Sequence, residues 1–206
     1  MTPASSVADF PARLNVLAAT PFRLRFELNT GGSSVEMFTM AFDRARHLAR
    51  ALFGDVPVLA IVAANPAPWS APWGVTRYGE VRESAFDALS DIGFPAGAAL
   101  GEWRGHQSPY FDDENGTDWH NRVYAVSWSQ VDLLLWNNLA HEIGIRPVAP
   151  VYSVFTDETC SVCLNAYDDR GMDVYAAERA RIAPLYAQRT DWLLDYDRER
   201  MNGVFG

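Results

Sequence analysis

Phe22, Leu24, Phe26 and Leu28 alternate with Arg23, Arg25 and Glu27. That period of two predicts a strand with one buried face. Residues 29–32 then read as a turn, and Ser33 with Glu36 three residues on is a capping-box signature. Val35, Phe38, Phe42, Ala45, Ala49 and Leu52 follow at helical spacing, and Gly54 stands where the chain would leave the helix. The run 56–64 is apolar nearly throughout, as expected of a central strand buried on both faces. Strand, helix and strand in this order suit a right-handed crossover. A short helix over 10–19, stopped by Thr20 and Pro21, precedes them.

A Pro-rich loop is predicted over 65–76, then a helix over 82–92, a strand over 98–104 and a polar surface loop over 105–120. Residues 122–128 read as a strand. Ser129 is placed to cap a helix in which Val131, Leu135, Leu139 and Ile143 recur every four residues before Gly144. Residues 148–155 and 160–167 make a hairpin around 156–159, and a second turn at 168–171 leads into 172–176. The chain then ends in helix, with Pro184 expected at a break or a new first turn. No repeat or linker divides the sequence, so residues 1–206 are expected to form one α+β domain. Its mixed β-sheet is covered by helices, and C-terminal hairpins are followed by a C-terminal helix.

Composition narrows the function classes. Half of the 206 residues are hydrophobic, enough to bury a substantial core. Two cysteines cannot staple a fold of this size. No stretch approaches the ~18 apolar residues of a membrane span, and the first ten residues lack the basic and apolar regions of a signal peptide, so a cytoplasmic protein without membrane contact is expected. Twenty-six acids against seventeen bases give a net charge of −9, which disfavours nucleic acid as a partner. All seventeen bases are arginine, which removes every mechanism that needs a lysine amine, pyridoxal phosphate anchoring and the P-loop among them. No dinucleotide fingerprint, G-x-S-x-G or H-E-x-x-H motif is present. No cofactor is expected, and nothing in the pattern specifies an oligomeric state.

Near the C-terminus, YDDRGMDV at 167–174 and DWLLDYDRER at 191–200 resemble a paired motif that ends the members of a bacterial family of proteins carrying a domain of unknown function. The strand Arg25-Phe26-Glu27-Leu28 with its following amphipathic helix is similar to the same family, so the resemblance spans about residues 20–206. It implies kinship and brings no activity, substrate or catalytic residue.

Three groups of residues could carry chemistry or binding. Cys160-Ser161-Val162-Cys163 is a C-x-x-C, but residues three apart on a strand point to opposite faces, so the thiols are expected to diverge and to remain reduced and metal-free. His106 and His120 bracket the acidic run Asp112, Asp113, Glu114 and Asp118, whose spacing fails as a calcium loop. Asp168, Asp169 and Asp173 flank a tight turn, while Asp191 and Asp195 are expected on one face of the last helix. Were turn and helix to meet, Arg170 would sit among acids, as an ion-pair lattice or as a divalent-metal site.

Two of the seven tryptophans, Trp69 and Trp73, stand in a repeated Ala-Pro-Trp within the Pro-rich loop, either as interface anchors or as a lid on the sheet. The leading expectation is a non-catalytic protein-binding domain, of the kind that neutralises a toxin, with Trp69 and Trp73 at the contact and a protein as partner. The alternative is a metal-dependent hydrolase built on the C-terminal aspartates.

Overall fold

A computed structural model describes residues 7–64, 85–95, 97–105 and 119–206. Trp69, Trp73, His106 and the acidic run 112–118 lie outside the described residues. Elements follow in the order α1 (Phe10–Ala19), β1 (Arg23–Glu27), α2 (Ser34–Phe53), β2 (Val58–Ala64), a 3-10 helix (Ala85–Ile92), β3 (Gly101–Arg104), β4 (His120–Val126), α3 (Trp128–Ile143), β5 (Val151–Asp157), β6 (Val162–Ala166), β7 (Gly171–Ala176), α4 (Arg179–Gln188) and α5 (Arg198–Phe205). The strands form one sheet in the order β1-β7-β6-β5-β2-β4-β3.

The α+β class holds. Every pairing among the described strands is antiparallel, a narrower pattern than a mixed sheet. Short turns impose this on β5–β6 and β6–β7, where they leave no room for a parallel crossover, and the long-range pairs β1–β7, β2–β4 and β2–β5 continue the same alternation. β1 and β2 run in the same direction but have β7, β6 and β5 between them, so α2 crosses over those strands rather than joining neighbours.

The pleat sorts the core into two parts. Leu24 and Phe26 of β1, Val58, Ala60 and Val62 of β2, Leu164 of β6 and Val174 of β7 meet α2, α3 and α4 in the main core. Leu59, Ile61, Val154, Cys163 and Tyr175 face the other way, against Phe10, Leu14 and Leu17 of α1. β2 is buried along its whole length because it has a helix layer on each side.

Local signals explain most helix ends. Ser33 and Glu36 form the expected capping box, and Gly54 ends α2 at φ +54°. Gly144 ends α3 in the left-handed region. The cap of α3 is Ser127 rather than Ser129, because Gln130, three residues beyond Ser127, completes a reciprocal box there. Pro184 lies within α4, contrary to the expected break. Lacking an N–H, it leaves the carbonyl four residues before it, on Ala180, without the usual intrahelical donor.

Two buried asparagines that periodicity does not reveal join α3 to the sheet. Asn137 Nδ2 donates to the Val151 carbonyl at 2.8 Å. Asn138 Nδ2 donates to the carbonyls of Ser153 and Ala166 at 2.7 and 2.9 Å, and its Oδ1 accepts from Ser153 N–H at 3.0 Å. The amide thus stands in for the β5–β6 ladder, whose direct pairing is confined to residues 155–156 and 163–164.

Candidate functional site

The C-terminal motif closes one side of the sheet. Residues 191–197, expected on a helix, instead form two 3-10 turns, Thr190–Trp192 and Asp195–Asp197, around an extended Leu193 and Leu194. Leu193 bridges Phe26, and Leu194 N–H donates to the Arg25 carbonyl at 2.9 Å. Arg25 N–H points to Met201 Sδ at 3.3 Å, and Arg200 donates to the Arg23 carbonyl at 2.9 Å. The outer edge of β1 is thereby occupied by the chain's own C-terminal segment, which blocks pairing with another strand.

The aspartates disperse along this framework. Asp168 Oδ1 accepts from Arg170 N–H at 2.8 Å and Gly171 N–H at 3.0 Å, fixing the β6–β7 turn, while Oδ2 takes Arg170 Nε at 2.8 Å. Asp169 accepts from Asn29 at 3.0 Å. Asp173 stands directly opposite Arg25 in the β1–β7 register and pairs with both Arg25, at 3.2 Å, and Arg23. Its side chain is 6% exposed. Asp195 pairs with Arg198 in solvent and Asp197 with Arg200. Asp191 is exposed. Arg170, itself 77% exposed, pairs with the buried Asp168 of its own turn, whereas the buried Asp173 is held by the arginine pair of β1. Among the described residues, no three His, Cys, Asp or Glu side chains come together as a metal site.

Around Asp173 the packing is close. A Cβ on Gly171 would lie 1.9 Å from the Tyr167 hydroxyl, so only glycine admits that ring. Burial, and then the Asp173 charge, raise the Tyr167 and Tyr175 phenols above their ordinary range. The Arg23 guanidinium lies 5.1 Å from the Tyr175 ring centre. The Arg200 hydrogen bond, helped by that guanidinium's charge, holds the Asp197 carboxyl below its ordinary value.

The cysteines depart from expectation. Cys160 lies in the turn ahead of β6 at φ +50°, outside the strand, and this puts it on the α1 side with Cys163 rather than opposite it. Neither is in a disulfide, and burial pushes the Cys160 thiol up to about 11.

At the other side of the sheet a second carboxylate lies between an arginine and a histidine. Glu102 of β3 stands opposite Arg122 of β4 and accepts from its Nε at 3.1 Å, and from His120 Nε2 at 3.0 Å. These bonds, His120 first, hold the carboxyl below its usual range. Arg122 stacks 4.2 Å from the Phe86 ring centre, and burial raises the nearby Tyr124 phenol above its ordinary range. Phe86, Glu102, Arg122 and Tyr124, with Asp87 and Phe94, line a cavity of about 650 Å³ between the 3-10 helix Ala85–Ile92 and the β3–β4 pair. No sequence pattern pointed to it, because its described wall residues come from separate segments with no common motif.

A family model described as a domain of unknown function (DUF3885) matches residues 8–197, and the chain belongs to that family. No curated protein and no solved structure matches it. No helix among the described residues is long and apolar enough to cross a membrane.

Proposed function

We propose that this member of the family is a non-catalytic protein-binding domain, acting in the bacterial cytoplasm by covering a basic protein such as a toxin, with Trp69 and Trp73 at the contact. The reading is carried by the engagement of the C-terminal aspartates. Asp168 holds a turn, Asp169 an asparagine amide, and Asp173 the two arginines of β1. A hydrolase built on these residues would need their oxygens for a divalent metal, and most of them are already used in the fold. The net charge of −9 favours encounter with a basic surface.

Capture from the native host, run in parallel with the Trp69→Ala/Trp73→Ala variant, tests the proposal. Truncating an aromatic anchor costs about 2 kcal/mol or more, roughly thirtyfold in affinity. The wild type should retain a partner that a folded double variant loses. Equal retention, or capture of nothing by either, contradicts the proposal.

A further inference from the structure

We propose that the cavity between the 3-10 helix Ala85–Ile92 and the β3–β4 pair is a receptor for a guanidinium or ammonium group, with Glu102 as its anchor. Its volume of about 650 Å³ is within the range of small-ligand sites, roughly 300–1,000 Å³. The charged groups among its described wall residues are Asp87, Glu102 and Arg122, so that lining is net negative at neutral pH. Arg122 is already committed, through Nε to Glu102 and through its face to Phe86. Glu102 is not spent in the same way. Both of its bonds fall on Oε2, so neither uses Oε1, and the side chain is 56% exposed. The carboxylate is thus held in place by His120 and Arg122 and still reachable from solvent.

The rest of the wall suits an organic cation better than a hydrated metal ion. Phe94 and Tyr124 meet edge to face with ring centres 5.6 Å apart and border the cavity. These rings are almost wholly buried and give the cavity an apolar back, against which the alkyl stem of a guanidinium or alkylammonium group can lie while the fixed carboxylate takes its charge. The reading of the chain as a protein-binding domain supplies what would carry that group, an arginine or lysine side chain of the partner. The chemistry of the cavity can be tested without the partner.

The probe is N-acetyl-arginine amide, with N-acetyl-glutamine amide and N-acetyl-glutamate amide as neutral and acidic counterparts, titrated into the isotopically labelled whole chain while backbone amide shifts are followed. The arginine probe should give saturable shifts at Ser90, Glu102 and Arg122. Glu102→Gln, at an exposed site, should weaken it about tenfold, whereas Arg122→Gln should leave it as tight or tighter. No saturable shift at these amides would overturn the inference. So would an acidic probe that binds more tightly and is lost with Arg122→Gln, since the guanidinium would then be the anchor. Capture from the host decides separately whether the chain binds a protein: its failure removes the partner and leaves the titration standing, while failure of the titration removes this receptor alone.

Discussion

Two carboxylates at opposite sides of one sheet have nearly the same neighbours and different fates. Asp173 lies opposite Arg25 with Arg23 beside it, and Glu102 lies opposite Arg122 with His120 beside it. Both are cross-strand ion pairs at the outermost strand pair. Asp173 is buried on the α1 side, under Tyr175 and beside Tyr167, and behind a β1 edge sealed by residues 193–201. Glu102 lines a cavity on the opposite side of the sheet. Burial separates the two. An ion pair closed off from water holds strands together, whereas one facing a cavity keeps a charge available for something else.

The largest effect that would break this comparison is at Asp173. Asp173→Ala leaves Arg23 and Arg25 without their acid. Both arginines keep some exposure, so the loss should be about 3 kcal/mol, the low end for a broken buried pair. At roughly 2–4 °C per kcal/mol for a chain of this length, the melting temperature should fall by about 6–12 °C. A shift under about 2 °C would show that the pair does not hold the strands. Gly171→Ala should cost about 2 kcal/mol, because its Cβ has no room against Tyr167 and the ring must shift. Thermal melting again reads it, and an unchanged midpoint would contradict the packing described.

Arg170→Ala sharpens the contrast from the other direction. Arg170 is mostly solvent-exposed, and its partner Asp168, though buried, keeps the backbone N–H bonds of residues 170 and 171 when the guanidinium is removed, so Arg170→Ala should cost about 1 kcal/mol in chemical denaturation. A loss near that of Asp173→Ala would restore Arg170 as the centre of the lattice.

The smallest effect is an acid one. Because the folded carboxyl of Asp197 lies below its ordinary value of 3.8, the folded state binds fewer protons than the unfolded state in that range. Its contribution is full above 3.8 and fades as pH falls toward the folded value. The stability advantage of wild type over Asp197→Asn should therefore be present near about pH 6 and smaller near about pH 3. An advantage unchanged across that interval would contradict the Arg200 bond as its cause.

Where one segment sufficed, the sequence was readable. The alternation of β1, the capping box of α2 and the apolar run of β2 are local patterns, and each element formed where its pattern placed it. Contacts between distant segments were not readable. Arg170 is two residues from Asp168 and was the obvious partner for nearby acids, yet Asp173 pairs with arginines about 150 residues away in sequence. The two cysteines were misplaced by one residue's backbone, since a strand rule cannot anticipate the positive φ of Cys160. Leu193 and Leu194 are extended because the β1 edge offers them backbone partners, which no helical periodicity encodes. The cavity combines all of these difficulties, since Phe86, Glu102 and Arg122 share no spacing and meet only once β3 pairs with β4.

The claim that the C-terminal aspartates serve the fold is tested most directly by calorimetric titration of the metal-free chain with magnesium and with manganese. No saturable heat and no change in melting temperature are expected with either ion. Stoichiometric uptake that disappears in Asp168→Asn or Asp173→Asn would contradict it, and would make those carboxylates metal ligands rather than ties between strands.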